Sequence, residues 1–564
     1  MSRTAFFFVI CLGWLSQLAH AQVFDEKFEH WPAKLKINGQ IVLGSSWNNA
    51  DCLKDLPQNL LKDKHIVFVH DLPADASLLE ACDKFLEEQS ESKTFETVAE
   101  DFECQLQKLL EKCDVFCWIA SQSFPETLRQ QQAKIHDLLA KHLEGGGTII
   151  ALGHSAAMMG QFAIAVHNDQ ARIERGLNLV YDTAILSDYE DSPALRGHLL
   201  SMLAVHPRSV GIGLRKEGLL VLDGRKMFMR GTGEATFLLM ANERQPIRVQ
   251  TIVELHPQSP RPELDLIDLT EWRRDAIDRT LEPFPPENPS IPHVENGTLV
   301  IVGGGGMPSG LMERFIELAG GKEHARMVYI PCEERDDVGK KQSTVEAWKK
   351  MGVKHTTFIH TKDRDKANGD EEFLEPLRHA TGIWFGGGRQ WNFADSYYGT
   401  TAHKLMKEVL RRGGVIGGSS AGASIQARYL ARATPIGNFR IRAPGYERGG
   451  LGFLSGVAID QHFSQRKRQQ DMTELMTHYP QLLGIGIDEA TALIVQKSIA
   501  DIVGRGKVHF YDRHLPVFPG RPDYIALPDG SCYDLAAREI LKDTSIWFAP
   551  PLKAEKPAVA YDQH

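Results

Sequence analysis

The chain reads as an α/β protein of two tandem domains, each built on mostly parallel sheets covered by helices. Short apolar runs at 298–302, 326–330, 355–359, 382–385 and 414–418 alternate with amphipathic helical patterns such as 311–319 and 402–412. Strands buried on both faces leave that pattern. Blocks of the first half also recur in the second in the same order and at nearly constant spacing. GGGTIIALGHSAA from Gly145 parallels GGVIGGSSAGA from Gly413 with a two-residue gap, GLNLVYDTAILSDY from Gly176 parallels GLGFLSGVAIDQHF from Gly450, and Gly211-Ile212-Gly213 parallels Gly484-Ile485-Gly486. Such a recurrence predicts a duplicated unit. Finally, 564 residues exceed what one hydrophobic core supports.

Composition sets the class. With 42% hydrophobic and 24% charged residues the chain is neither disordered nor a multi-span membrane protein. Its 64 basic and 73 acidic side chains give a net charge of -9, with no basic excess to attract nucleic acid or anionic lipid.

In chain order, Arg3, the apolar stretch 6–18 and Ala19-His20-Ala21 read as a signal peptide over 1–21, so the expected location is exported, periplasmic or extracellular. No membrane span is expected after its removal. The next segment, 22–255, is the first α/β copy. It holds most of the seven cysteines beyond the leader, an odd number that excludes a complete disulfide framework within one chain; Cys113 and Cys117 sit in a buried-strand pattern and read as structural thiols. Eight prolines between His256 and Glu295 predict a linker over 256–295. The second copy spans 296–525, and 526–564 is a C-terminal extension in which 533–542 has a helical pattern.

Chemistry concentrates in the second copy. Gly418-Ser419-Ser420-Ala421-Gly422 follows an apolar strand and precedes a helical pattern. In that context G-x-S-x-G reads as a nucleophile elbow, with the Ser420 hydroxyl exposed and the Ala421 N–H aimed at a developing oxyanion. A serine needs a base, and the base needs an orienting group. His462 and Glu489 end the next two apolar runs, where sites form in parallel sheets. The order Ser, His, Glu excludes an α/β-hydrolase, whose acid precedes its histidine. The glycines 386–388 end another strand and would let a second N–H, at Gly387, approach the oxyanion. The run 303–306 completes neither G-x-G-x-x-G nor G-x-x-x-x-G-K-[ST], so dinucleotide and P-loop sites are rejected.

GGSSAGAS, AIDQHFSQRKR and GIGIDEATAL resemble the motifs of cyanophycinases, serine peptidases related to aspartyl dipeptidases. The resemblance covers roughly 296–525. It implies a flavodoxin-like or class I glutamine-amidotransferase-like core, Ser420 as nucleophile, His462 as base and Glu489 as orienting acid. It also implies substrate binding by Gln390, Asp460, Gln461, Arg466 and Arg468, with Asp460 free to receive a guanidinium and the arginines to clamp a carboxylate. The implied reaction is exopeptidase cleavage of cyanophycin, a poly-aspartate chain carrying arginine on its side chains, to β-aspartyl-arginine dipeptides. No metal or organic cofactor is implied, and dimerisation is suggested. Two positions depart from the family pattern: Arg389 stands where Asp or Asn is usual, and Asp471 where an arginine is. Alternatives are an aspartyl or isoaspartyl dipeptidase of the same family and a non-catalytic binding protein with amidotransferase-like domains. In the first copy Ser155 is expected opposite Ser420, Asp188 opposite His462 and Lys216 opposite Glu489, so 22–255 reads as a degenerate, inactive copy.

Overall fold

The computed structural model describes residues 35, 37–45, 58–70, 92–97, 102–120, 126–167, 170–189, 192–215, 218–254, 265–436 and 440–541. The expected signal peptide lies outside these residues, as do Cys52, Cys82 and Lys216.

The five apolar runs of the second half are strands. His355–Phe358, Arg326–Ile330, Gly382–Phe385, Val415–Ser419 and Val294–Val302 lie side by side, all parallel. The sheet continues antiparallel through Thr491–Lys497, Ile499–Gly504, Cys532–Asp534 and Glu539–Leu541. Helix Leu311–Leu318 covers one face because its apolar positions recur at helical spacing, and Phe315 meets Trp384 edge-on at 5.0 Å. A second sheet runs Ala427–Tyr429, Leu454–Gln461, Leu483–Ile487, Lys507–Asp512, Ile525–Pro528, with its first three strands parallel.

The first half repeats this strand order. Its larger sheet reads Ser92–Thr97, His65–His70, Val115–Ala120, Thr148–Gly153, Gln40–Gly44, all parallel, then Leu219–Asp223, Lys226–Arg230 and Ile267–Asp268 antiparallel. Its smaller sheet follows the same scheme, with an added edge strand, Gln170–Arg175. Cys117 is buried in Val115–Ala120 as the apolar pattern requires, and Cys104, Cys113 and Cys332 are free thiols. Among the described residues no helix is long and apolar enough to cross a membrane.

Two expectations are corrected. The proline-rich 256–295 is not a plain linker. Between Pro262 and Pro283 it has no proline, and there Asp268 caps helix Leu269–Asp278 by accepting from Glu271 N–H at 2.8 Å. That helix buries Leu269, Trp272, Ala276 and Ile277, and Ile267–Asp268 joins the first large sheet. The helix also ties the halves together. Arg225 of the first half bonds Asp268 at 2.5 Å and, across the junction, Asp395 at 2.6 Å and Tyr446 at 2.5 Å, while Arg274 pairs with Asp395. Two guanidinium groups hold the half-buried Asp395 carboxyl well below the usual carboxylate range, against the opposing effect of desolvation. The second correction concerns the expected helix over 533–542, whose described part belongs to a β-hairpin of Cys532–Asp534 and Glu539–Leu541. Asp534 accepts from Ala536 and Ala537 N–H, and Arg538 takes φ 59°, so the chain turns back instead of coiling.

Candidate active site

Ser420 follows the central strand Val415–Ser419 and precedes the short helix Ala421–Ser424. Its backbone, at φ 59° and ψ −114°, is strained for a side chain with a Cβ, and a bond from its N–H to Val302 O at 3.0 Å holds it there. The strain turns the hydroxyl out at the sheet's C-terminal edge. There Ser420 Oγ lies 2.9 Å from His462 Nε2, and His462 Nδ1 lies 2.6 Å from Glu489 Oε1. A carboxylate only accepts, so Nδ1 donates to Glu489 and Nε2 is left to accept from the serine hydroxyl.

Burial lowers the His462 pKa below its ordinary 6.5, and the nearby Arg466 and Arg468 cations oppose the pull of Glu489. The ring is therefore neutral at pH 7 and able to take a proton. Its position is set from below: His462 N–H donates to Gly303 O at 2.8 Å, Ala490 N–H to Gly304 O at 2.8 Å, and Glu489 N–H to Gln465 Oε1 at 3.0 Å. A Cβ on Gly304 would stand 2.3 Å from His462 Cε1, and one on Gly305 2.3 Å from Glu489 Oε2. The glycine run set aside as a nucleotide loop is thus the floor under the histidine and the glutamate. Its four successive glycines were the only sequence signal of that role.

Ala421 is buried at the first position of its helix, where an N–H has no partner inside the helix. Gly387 passes beside the serine, since a Cβ there would touch Ser420 Cβ at 3.5 Å. Both positions expected to line an oxyanion site are therefore adjacent to Ser420.

The expected substrate-binding set divides. Arg466 is exposed, one turn beyond His462, its N–H donating to His462 O at 3.0 Å. Gln461 is 4% exposed, and its Oε1 has no hydrogen-bond partner among the described residues. Asp460 is corrected, because its carboxylate is taken by the chain itself, while Gln390 and Arg468 each commit one nitrogen to the chain. Gln390 Nε2 donates to Ala431 O at 2.7 Å and Arg432 O at 2.9 Å. Asp460, fully buried, accepts from Arg432 Nε at 2.8 Å, Arg468 Nη1 at 2.8 Å and Gln461 N–H at 3.0 Å. Arg468 Nη1 also donates to Gln461 O at 2.7 Å. Asp471, at the departing position, accepts from Arg432 Nη2 at 2.5 Å. Arg432 joins the whole cluster, and nothing in its local sequence signals that.

Residues 293–503 match the model of Peptidase family S51. A cyanophycinase of Geminocystis herdmanii is 29% identical over 204 residues, 36% of this chain and 74% of that protein. One of Synechococcus elongatus is 27% identical over 245 residues, 41% of this chain and 76% of that protein. Residues 293–503 form a cyanophycinase-like peptidase domain of family S51. The enzyme is thus a serine-type peptidase. A peptidase from an acI-B1 Actinobacterium, of known structure, is 24% identical; the match covers 42% of this chain and 97% of that one, with a TM-score of 0.32.

Outside the S51 domain, the first half lacks a serine at the corresponding turn. Thr148 N–H bonds Asp114 O as Val415 N–H bonds Thr381 O, which aligns the two central strands. Counting from those residues, Gly153 stands where Ser420 does, with φ 72° and ψ −133°, and Ser155 falls opposite Gly422. The expected pairing of Ser155 with Ser420 is therefore corrected. Ser155 is fully buried, its hydroxyl 2.7 Å from Trp118 O and 2.8 Å from Leu152 O. Asp188 does stand opposite His462, with φ 56° against 50°, but its carboxylate accepts from Ser45 Oγ at 2.9 Å.

Proposed function

We propose that the protein is an exported serine exopeptidase that hydrolyses cyanophycin through Ser420, His462 and Glu489, releasing β-aspartyl-arginine dipeptides. The observation that carries this reading is the unbroken chain of bonds from Ser420 Oγ through His462 to Glu489 at 2.9 and 2.6 Å. His462 Nε2 takes the Ser420 proton as Oγ attacks the backbone carbonyl next to the terminal unit. The Ala421 and Gly387 N–H groups receive the oxyanion. His462 then gives the proton to the leaving amine, and water, activated by the same nitrogen, releases the acyl group and restores the serine. Glu489 keeps Nδ1 protonated throughout. The first half, with Gly153 at the elbow, serves as a catalytically silent copy. Export rests on Arg3, the apolar 6–18 and Ala19-His20-Ala21.

The test is incubation of the purified protein with cyanophycin beside Ser420→Ala, with product read by mass spectrometry. β-Aspartyl-arginine from the wild type alone is the expected result. Absence of any Ser420-dependent product from cyanophycin or from aspartyl dipeptides would sink the reading.

A further inference from the structure

We propose that Arg432 sets what this site accepts: it fills the guanidinium-binding position at Asp460 from within the chain, so the substrate's arginyl branch is not read there. The inference rests on the hydrolytic reading above and narrows its substrate to aspartyl peptides irrespective of arginylation. A carboxylate offers about four lone-pair positions, and Asp460 already uses three, on Arg432 Nε, Arg468 Nη1 and Gln461 N–H. It has no solvent-exposed surface by which a fourth donor could arrive. A third guanidinium beside it would bring three cations around one anion in a water-poor site.

Arg432 is also held too firmly to swing aside. Its N–H donates to Ile441 O at 3.0 Å, its carbonyl accepts from Gln390 Nε2 at 2.9 Å, and its far nitrogen Nη2 bonds Asp471 at 2.5 Å. Its backbone sits at φ 53°, a conformation that persists only where surrounding bonds impose it. Gln390, Asp460 and Asp471 thus hold Arg432 in place. What remains near the triad is the exposed cation of Arg466. That cation suits a carboxylate, a feature of the aspartyl chain itself.

The experiment compares two synthetic α-linked poly-aspartyl peptides, with and without arginine on their side-chain carboxyls, on the full-length wild type and Arg432→Gln. The wild type is expected to cleave both with kcat/KM values within about threefold, and Arg432→Gln to favour the branched peptide by about tenfold, one charge-assisted bond's worth of discrimination. In Arg432→Gln, Asp460 keeps Arg468 as partner, and a thermal melt checks the fold. A wild type that cleaves only the branched peptide overturns the proposal. Calorimetry with Nα-acetyl-arginine amide decides independently of turnover. No binding to Ser420→Ala, with binding appearing in Ser420→Ala/Arg432→Gln, is expected. Binding with Arg432 in place that Asp460→Asn abolishes would overturn the proposal. If neither peptide is cleaved, the hydrolytic reading fails, and the calorimetry still decides the role of Arg432.

Discussion

Replacing Gly304 by alanine tests whether the glycine floor sets the position of the base. The new Cβ would lie 2.3 Å from His462 Cε1 and 2.6 Å from Nε2, whereas ordinary contact begins at 3.4 Å. The ring would have to retreat by about 1 Å, a displacement that costs on the order of 100-fold when it misplaces a catalytic group. It has little freedom to give, because Nδ1 is held by Glu489 at 2.6 Å and the backbone by Gly303 O at 2.8 Å. The 2.9 Å contact with Ser420 therefore breaks first. Alanine at φ 96° adds about 1–3 kcal/mol of backbone strain. The assay is kcat/KM on cyanophycin together with thermal unfolding. Gly306→Ala is the control, since it has a similar strain at φ 121° but no atom within 4 Å of the new methyl. Gly304→Ala should lose about 100-fold while Gly306→Ala keeps most activity at a comparable loss of stability. Activity of Gly304→Ala within about threefold of wild type would refute the reasoning.

Ser155→Ala removes a hydroxyl that bonds only backbone carbonyls, so turnover should be unchanged and stability should fall by about 1 kcal/mol, read by denaturant unfolding. In the proposed mechanism the neutral ring is the base, so kcat/KM should fall off on the acid side below pH 6.5, through the lowered His462 pKa; Arg466→Gln removes an opposing cation and should move that limb upward, whatever it does to the height of the profile. Burial beside Asp275 and Glu447 pushes the Asp278 carboxyl up to about 7 despite its pair with Arg448 at 3.2 Å. A raised value means stability that is full below the ordinary 3.8 and is lost as pH rises through about 7, so the melting temperature should decline across that window, and Asp278→Asn should flatten the decline.

Ser420, His462 and Glu489 were legible in the sequence because parallel strands end at one edge of the sheet, and each of the three follows an apolar run. The alternation of runs and helical patterns likewise gave the parallel core of the second half strand by strand. The pairing of Ser155 with Ser420 failed because similar letters can be aligned across a gap, whereas hydrogen-bond register admits none and puts Gly153 at the turn. The helix Leu269–Asp278 was obscured by prolines on either side of a stretch that has none.

Sequence by itself determined which residues are the candidates for nucleophile, base and acid, since those assignments depend on local residue type and on ends of strands. Tertiary structure alone decided which charges are spoken for. Arg432 reaches Asp460 from 28 positions away, and Arg225 reaches Asp395 from 170. A carboxylate withdrawn from water must find compensating donors wherever packing brings them. No local pattern records where those donors come from.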